Sequence, residues 1–550
     1  MPTPATLVMT NARVYTADPM EPWAEGLACA GERIIRVGRT KDVEGLIGRD
    51  TQTMDAGGRL VLPGFIDAHT HLIWGYELGT WIDLTDRPSL QVAQRRIAAY
   101  AETHPDEEIL IGHGFDYASL QPAGLPGMKD LDVAVADRPL LLTAWDGHTG
   151  LGNTKFVERA LETTASLGRT VGQMQRDPRT GEPTGVFHEA FDLTPYMPEV
   201  RRRRSGDGLR RTVRMATRLG ITTAFDVQVN LEDLSAYETL WKAGELTVRI
   251  RAALYHPPAT PRSRYAAFCE ARDRPWDDWL RVAAIKLYID GVQETGTAAL
   301  LDPYENNPAS QGSTQYPVEG YASIVEELDR LGFQICTHAC GDRGVRIALD
   351  AYERAARING SSGRRHRIEH CENLSEGDIP RFARLDVVPC MMPRHSSPDL
   401  TARWREAVGP DRTARGFAWR GLFDADAHLA FASDWPVADM NPLVGVHEAV
   451  ARKSPQGEPS PHRLTVREAI HAYTRGAAYA CYAETSRGVL AEGMYADFII
   501  LSQNIFEAPV DRIPEARVAA TTVGGRVVYE ETVRSDELRT VSNDRAAGGN

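Results

Sequence analysis

Strand-like apolar runs alternate with helical patterns along most of this chain, and this alternation constrains the fold more than any other feature. The strand candidates are, in chain order, GFIDAHTH, RPLLLTAW, GITTAFDV, RVAAIKLYIDG, GFQICTHACGD, HRIEHCE, LDVVPCMMP and AHLAFASDWP. Helical segments such as SIVEELDRLG and DRGVRIALDAYERAAR separate them. Repeated β-α units predict a parallel sheet, because parallel strands need crossover connections. We therefore expect an α/β fold with a closed, TIM-like (β/α)8 barrel, although the pattern also allows an open doubly wound sheet.

The two ends of the chain predict a second, smaller domain. Residues 1–61 consist of short strand patterns separated by Gly, Asn and Asp turn signals, and residues 488–535 have the same character. Together they are expected to form one composite β-sandwich. The barrel is expected over residues 62–487, with an insertion at about 153–204, where strand signals are weak and turn residues are frequent. Residues 536–550 have the composition of a polar tail.

The composition narrows the class of protein. A formal charge of −13 at pH 7 argues against a nucleic-acid partner, because nucleic acids attract basic surfaces. No stretch reaches the ~18 uninterrupted apolar residues that a membrane span needs, and the N-terminus has no signal-peptide pattern. The seven cysteines are irregularly spaced and do not predict a disulfide framework. A cytoplasmic protein is expected, with neither nucleic acid nor membrane as partner.

Ligand-type side chains interrupt the apolar runs near the ends of several predicted strands. In a parallel barrel these ends converge on one face, where chemistry takes place. Each residue alone has an ordinary explanation, such as a structural histidine or a turn aspartate. A charge in an apolar run costs several kcal/mol unless it is paired or bound to a metal, and metal coordination accounts for the whole set. The candidate metal ligands are His69, His71, Lys286, His338, His370 and Asp434.

This ordered set resembles the amidohydrolase superfamily over nearly the whole chain. The motifs that carry the resemblance are PGFIDAHTH, IKLYIDG, THACGDRGV, RIEHCE and ASDWPV, followed by GVLAEGMYADFIIL at the return to the terminal domain. Within the superfamily, the chain is most similar to the branch that holds N-substituted formamide deformylases. The segments that indicate this branch are GHGFD, DGHTGLGNTK, GEPTGVFHEA and HACGDRGVRIALDAYE.

The resemblance implies a binuclear metal centre. His69, His71 and Asp434 are assigned to one ion, and His338 and His370 to the other. Lys286, carboxylated to a carbamate, is expected to bridge the two. Zinc is favoured, because the donors are mostly nitrogen with some carboxylate.

The resemblance also implies the reaction. A metal-activated hydroxide is expected to attack the carbonyl carbon of an amide and cleave its C–N bond. Asp434 is the expected catalytic residue, because it takes the proton from the attacking hydroxide and delivers it to the leaving amine.

Three alternatives remain open from the residues themselves. In the first, one metal is bound, His370 is a base and Lys286 stays an ammonium, which suits deamination of a ring amidine. In the second, Glu189 replaces Lys286 as the bridge. In the third, the barrel has lost its chemistry and has a binding role. A zinc-finger interpretation of CTHAC, with Cys336 and Cys340, needs a second ligand pair that we do not find.

Other residues are candidates for contact with substrate. The predicted partner is a small-molecule amide, and a homodimer is the oligomeric state considered. Aromatic residues in the pocket would favour an apolar or aromatic substituent on that amide. The candidate substrate contacts are His148, Glu189, His395, Trp74, Trp145 and Trp435.

Three further histidines are not assigned to the site. His104, His256 and His462 lie in loop-like sequence and are expected at the surface.

Two segments depart from the family pattern. Met392 stands in MMPRH, where the family commonly has Gln-Pro-x-His, and the segment DGVQETGTA replaces a stretch of Asp-Gly-Ser type. Neither segment contains a predicted metal ligand. Both are expected where substrate is held, so the identity of the amide does not follow from the resemblance.

Overall fold

In the computed structural model, the described residues of the chain divide into two units. Unit 1 comprises Met1–His71 and Arg210–Asn550, and unit 2 comprises Leu72–Leu209. The residues described are 4–78, 81–117, 120, 125–167, 173–188, 206–360, 363–454 and 456–531. The predicted polar tail, 536–550, lies outside them.

Unit 1 contains a sheet of eight parallel strands whose spatial order follows the chain. At one edge, Asp434 N donates to His69 O (2.9 Å) and His71 N donates to Trp435 O (2.8 Å), so that the last strand meets the first. This nearly closed sheet confirms the predicted TIM-like barrel over the open doubly wound alternative. The first to eighth barrel strands are Phe65–Thr70, Ile221–Val229, Arg249–Tyr255, Leu280–Tyr288, Gln334–Ala339, Arg367–His370, Val388–Met391 and Ala430–Phe431.

Helices connect the barrel strands, as the crossover rule for parallel strands requires. One of them, Ala402–Arg415, is interrupted at Gly409, where φ is +77° and Pro410 follows. The described helices that accompany the remaining barrel strands are Gly206–Arg218, Leu234–Lys242, Tyr265–Asp273, Val318–Arg330, Asp342–Asn359, Ile379–Arg384, Ala402–Arg415, Trp419–Asp424, Pro442–Ala451, Val466–His471 and Ala477–Ala480, with a π-helical turn at Ala472–Gly476.

Small apolar side chains fill much of the barrel core. Several barrel strands contribute alanine or cysteine to it. Members of this buried cluster include Ile66, Ala68, Ala253, Ala284, Cys336, Cys390 and Ala430.

The two termini together form the predicted second domain. One sheet pairs strands from both ends of the chain, in the order Arg526–Glu530, Val518–Val523, Phe498–Leu501, Leu60–Pro63, Arg13–Tyr15 and Trp23–Ala24. The other sheet has the order Arg33–Gly38, Gly26–Ala30, Leu7–Thr10 and Gln52–Asp55, and the short helix Thr40–Glu44 packs on it. Side chains of both sheets share one buried core, which includes Leu7, Leu27, Val61 and Phe498. The composite sandwich is therefore present.

Unit 2 has a sheet of its own, which corrects one strand assignment. The predicted barrel strand RPLLLTAW forms Leu140–Ala144 of this sheet, whereas the third barrel strand, RIRAALY, was not among the candidates. The unit spans Leu72–Leu209, a range that contains the predicted insertion, 153–204. Its strand order is Gln173–Arg176, Pro183–His188, Thr149–Gly152, Leu140–Ala144, Leu110–Phe115 and Ile82–Asp83. The helices within its described residues are Leu72–Leu78, Leu90–Thr103, Met128–Asp132 and Thr154–Leu167.

Two further expectations concern the whole chain. All seven cysteines lie in the described residues, and the structure pairs none of them in a disulfide. Across the described ranges, the structure has no helix with both the length and the apolar character that crossing a membrane requires.

Candidate metal centre

The six predicted ligands lie at the carboxyl ends of five barrel strands. The first strand supplies His69 and leads into His71, and Asp434 follows the eighth strand. The fourth, fifth and sixth strands supply Lys286, His338 and His370. Each of the six side chains is buried. The carboxyl ends of parallel strands meet on one face, and this is why residues distant in sequence come together.

Asp434 faces both histidines of the first strand. Its Oδ1 lies 3.1 Å from His69 Nε2 and 3.0 Å from His71 Nε2. Burial raises the pKa of Asp434, but the facing His69 and His71 hold it well below its ordinary value. Burial lowers the pKa of His71. The three side chains therefore present an anionic oxygen and two imidazole nitrogens to one another, which is the donor chemistry of a zinc site.

His338 and His370 form the second part of the cluster. Their ring centroids are 4.4 Å apart, and the His370 ring is 5.1 Å from that of His69. Burial and the neighbouring His338 hold the pKa of His370 well below its ordinary value, so its imidazole is neutral and able to bind a cation. One ligand atom each of His69, His370 and Asp434 lies within 4.8 Å of the others. His370 thus lies between the two predicted metal sites.

Lys286 points into the same enclosed region. Its side chain has no solvent exposure, and Nζ lies 4.6 Å from the centroid of the Tyr288 ring. Burial lowers the pKa of the Lys286 ammonium, against the attraction of Glu369 and Asp434. The neutral amine is the form that adds carbon dioxide, so this environment suits the predicted carbamate.

Several polar atoms of the cluster have no hydrogen-bond partner among the described residues. They include Nζ of Lys286, Nδ1 of His370 and Nε2 of the adjacent His395. A buried polar atom without a partner costs about 1–3 kcal/mol, so three at one point are unfavourable unless another group satisfies them. A divalent cation does so, since nitrogen and carboxylate oxygen are its preferred donors. The residues present therefore fit a metal centre.

Glu369 is a functional residue that the sequence analysis missed. Its Oε2 lies 2.6 Å from His69 Nδ1, and its two oxygens accept hydrogen bonds of 2.9 Å from Arg367. Burial raises the pKa of Glu369, but Arg367 and His69 hold it well below its ordinary value. A carboxylate on Nδ1 fixes the ring and leaves Nε2 free for a cation. The available signal was the glutamate beside the predicted ligand in RIEHCE.

Asp67 and Asp290 hold the strand ends in place. Asp67 accepts hydrogen bonds from Ser433 N (3.0 Å) and Ser433 Oγ (2.6 Å), which ties the first strand to the loop that carries Asp434. Burial raises the pKa of Asp67 to about 6. Asp290 accepts from Cys340 N (3.1 Å) and Gly341 N (2.9 Å), which ties the fourth strand to the fifth.

Two ligand positions have left-handed backbone conformations. The φ angle is +74° at His370 and +58° at Asp434. Such conformations cost non-glycine residues about 1–3 kcal/mol and persist where surrounding contacts fix them. His370 is the last residue of the sixth strand, and Asp434 follows the eighth. At both positions the backbone turns away from the strand direction, and the side chain remains in the cluster.

Two of the predicted substrate contacts lie beside the cluster. His395, in the turn Pro393–Ser396, has Nε2 3.6 Å from Asp434 Oδ2 and Nδ1 3.4 Å from Glu372 Oε1. Its ring stacks on that of His370 at 5.8 Å between centroids. Trp435 is half-buried directly after Asp434. Their roles toward a substrate stay predictions.

The other predicted contacts belong to unit 2. Trp74 lies against the backbone of Gly147, within the turn that joins Trp145 to His148. His148 is buried, and its backbone N–H donates to Asp146 Oδ1 at 2.9 Å. Glu189 lies outside the described residues. A role in substrate binding stays a prediction for each of them.

One histidine expected at the surface is fully buried. His256, directly after the third barrel strand, has no solvent exposure, and its Nε2 lies 2.9 Å from Tyr265 Oη. Burial lowers the pKa of His256 to about 4. Pro-Pro follows His256 and gives the segment a loop-like sequence, but the helix Tyr265–Asp273 covers the position.

Comparison with known proteins identifies the family. Residues 52–529 match the family described as "Amidohydrolase family". The chain is similar to the Arabidopsis thaliana protein LONG AFTER FAR-RED 3 (29% identity, covering 96% of this chain and 92% of that protein). It is also similar to the N-substituted formamide deformylase of Arthrobacter pascens (24% identity, 96% and 98%).

A solved structure shows the same fold. It is an uncharacterized metal-dependent hydrolase from Pyrococcus horikoshii, with a TM-score of 0.74 at 23% identity, covering 92% of this chain and 99% of that one. The family match spans most of the chain, including all six candidate ligands. The chain belongs to the amidohydrolase family.

Proposed function

We propose that this protein is a metal-dependent hydrolase that cleaves the C–N bond of an N-substituted amide. The observation that carries the proposal is the buried cluster at the carboxyl ends of the barrel strands, with three polar atoms that lack hydrogen-bond partners among the described residues. Family membership and the similarity to a formamide deformylase support an amide as substrate.

Two divalent ions, with zinc favoured by the donor set, fit the cluster. His69, His71 and Asp434 would hold one ion, and His338 and His370 the other, with carboxylated Lys286 between them. When bound, the ions supply Lewis acidity toward the amide carbonyl and lower the pKa of the hydrolytic water.

The chain's own residues have separate tasks in this proposal. Glu369 holds the His69 ring through Nδ1, at 2.6 Å. Asp434 would carry a proton to the leaving amine, and its Oδ2 lies 3.6 Å from His395 Nε2, a second group that could exchange that proton. An amine is a poor leaving group until it is protonated, so this transfer contributes directly to the rate.

The proposal is tested by metal analysis combined with a substrate panel. Protein purified without chelators is expected to contain two divalent ions per chain and to hydrolyse members of a panel of N-benzyl formamides, acetamides, cyclic imides and carbamates. One ion per chain with activity confined to ring amidines would replace it with the deaminase alternative. Metal-free protein that stays inert after zinc is added would favour a binding role for the barrel.

A further inference from the structure

The fifth barrel strand brings a thiol next to a predicted metal ligand. Cys340 Sγ lies 3.5 Å from His338 Nε2. The Cys340 side chain is 1% exposed, and its backbone N–H donates to Asp290 Oδ1 at 3.1 Å. Buried packing and a fixed backbone therefore hold the sulfur beside the imidazole. The other cysteine of CTHAC, Cys336, packs instead in the barrel core.

The spacing of these two atoms suits a shared cation. Zinc binds thiolate sulfur at about 2.3 Å and imidazole nitrogen at about 2.0–2.1 Å, so a tetrahedral angle places the two donors roughly 3.5 Å apart. The observed separation is 3.5 Å. Binding at His338 Nε2 requires the tautomer with its proton on Nδ1, and the contact of Nε2 with Gly291 O, now 3.1 Å, would then be lost.

A third donor completes the set. One ligand atom each of His338, Cys340 and His370 lies within 4.8 Å of the other two, and all three side chains are buried. His370 is also one of the residues with a buried nitrogen, Nδ1, that has no hydrogen-bond partner among the described residues. Three buried donors are the number of protein ligands in a catalytic zinc site, which keeps its fourth position open.

We propose that Cys340 is a thiolate ligand of the second metal ion, in a His338–Cys340–His370 donor set. The inference rests on the metal centre of the proposed function and deepens it by giving this ion a sulfur donor. On binding, the S–H bond breaks, an Sγ–metal bond forms and the proton is released to solvent. The sulfur makes this site softer than the site of His69, His71 and Asp434, so thiophilic ions such as Cd²⁺ should prefer it.

The alternative is that Cys340 is an ordinary buried cysteine that packs in the core and binds no metal. Cys340 packs against Val292 and Ala298, and an S–H group can donate a weak hydrogen bond to an imidazole at the same distance. This alternative predicts that the sulfur stays protonated after metal is bound. The protonation and bonding of sulfur are observable by spectroscopy, so the two cases can be distinguished without an activity assay.

The experiment is a titration of chelator-stripped protein with Co²⁺, followed by absorption spectroscopy. In the wild-type protein we expect two Co²⁺ to bind, with an ultraviolet charge-transfer band from thiolate to Co²⁺. Cys340→Ser should lose the band and weaken binding of one Co²⁺ at least about tenfold. Cys371→Ser is the matched control, because Cys371 is buried nearby, lies outside the three-donor set and has its Sγ directed at Ile368 O. That variant should keep the band.

Each outcome supports or contradicts a specific claim. Two bound Co²⁺ without a thiolate band, or a band that survives in Cys340→Ser, would overturn the role of Cys340 and leave the metal centre intact. No bound Co²⁺ would overturn the proposed metal centre and this inference with it. If Cys340→Ser fails to fold, X-ray absorption of the zinc-loaded wild type decides, since the proposal requires a sulfur at about 2.3 Å.

Discussion

Nδ1 of His69 lies 2.6 Å from Oε2 of Glu369, and neither side chain is more than 1% exposed. Glu369 also accepts two hydrogen bonds from Arg367, which in turn donates to Ala68 O at 2.5 Å. The chain Arg367–Glu369–His69 therefore joins the sixth strand to the first inside the barrel. It fixes the His69 ring, and partners of this kind orient metal-binding histidines in many proteins.

Glu369→Gln is expected to weaken metal binding about 10- to 100-fold, because the amide is a poorer partner for Nδ1 of His69. The measurement is Co²⁺ affinity by competition with a chelator. Since the single change also leaves the buried Arg367 without its carboxylate, the double variant Glu369→Gln/Arg367→Met is needed as well. It should bind metal as weakly as the single variant. Glu376→Gln, an exposed change on the loop after the sixth strand, should bind like the wild type.

Parental affinity in both Glu369 variants would show that His69 does not depend on this partner. Loss of affinity in the single variant alone would assign the effect to the unpaired guanidinium of Arg367.

Asp434→Asn is expected to lower kcat on the order of 10²-fold or more, because Asn keeps the shape but cannot carry a proton. Far-ultraviolet circular dichroism should match that of the wild type. The measurement is kcat and KM on an amide that the panel identifies. Asp439→Asn, an exposed change five residues later, is the matched control and should keep wild-type turnover. Near-wild-type kcat in Asp434→Asn would refute the proton-transfer role.

In the sequence, the candidate ligands were easier to single out than the strands that form the barrel, and the reason is physical. A histidine or lysine within an apolar strand is conspicuous because burying it is costly, so His338 and Lys286 stood out. Leu140–Ala144 has the same apolar pattern as a barrel strand, and only its pairing partners distinguish it. Periodicity does not report partners, which is why a strand of unit 2 was assigned to the barrel and Arg249–Tyr255 was overlooked.

Residues that act through other residues were harder to predict. Glu369 and Asp67 bind no cation in the proposal, and in sequence they are ordinary carboxylates beside histidines. Their importance comes from contacts 300 or more positions away, with His69 and Ser433 respectively. His256 was wrongly expected at the surface. Its neighbours in sequence are typical of a loop, and the tertiary packing that buries it is not visible in the sequence.

Because His256 is buried, the free energy of unfolding is expected to fall in mild acid. Burial lowers its pKa to about 4, while the unfolded chain has the ordinary value of about 6.5. Between these pH values the unfolded state binds the proton and the folded state does not, so the free energy of unfolding falls as pH decreases. The contribution is fully present above about pH 6.5 and decreases by roughly 3 kcal/mol toward pH 4.

His256→Gln should remove this pH dependence while keeping a polar partner for Tyr265. In urea unfolding from pH 7 to pH 4.5, we expect its slope of unfolding free energy against pH to be shallower by up to about 1.4 kcal/mol per pH unit. The control is His104→Gln, at a histidine on the surface of unit 2. An unchanged slope in His256→Gln would show that this histidine is not the group that titrates.

Lys286→Ala is expected to lose metal and activity together, because the carbamate proposed to bridge two ions could no longer form. The wild-type amine is buried, and burial favours its neutral form, which can add carbon dioxide. Metal content by elemental analysis and amide hydrolysis are the two measurements. Lys242→Ala, at a lysine with a 66% exposed side chain, should retain both metal and activity.

Chemical rescue distinguishes a bridging ligand from a structural lysine. A short carboxylic acid such as propionate can place a carboxylate in the space left by the side chain of Lys286→Ala, so it should restore part of the metal content and activity. Bicarbonate should not, because the amine that it would modify is absent. If Lys286→Ala binds two ions as tightly as the wild type and stays active, the bridge comes from another residue, and Glu189→Ala is then the variant that should lose metal.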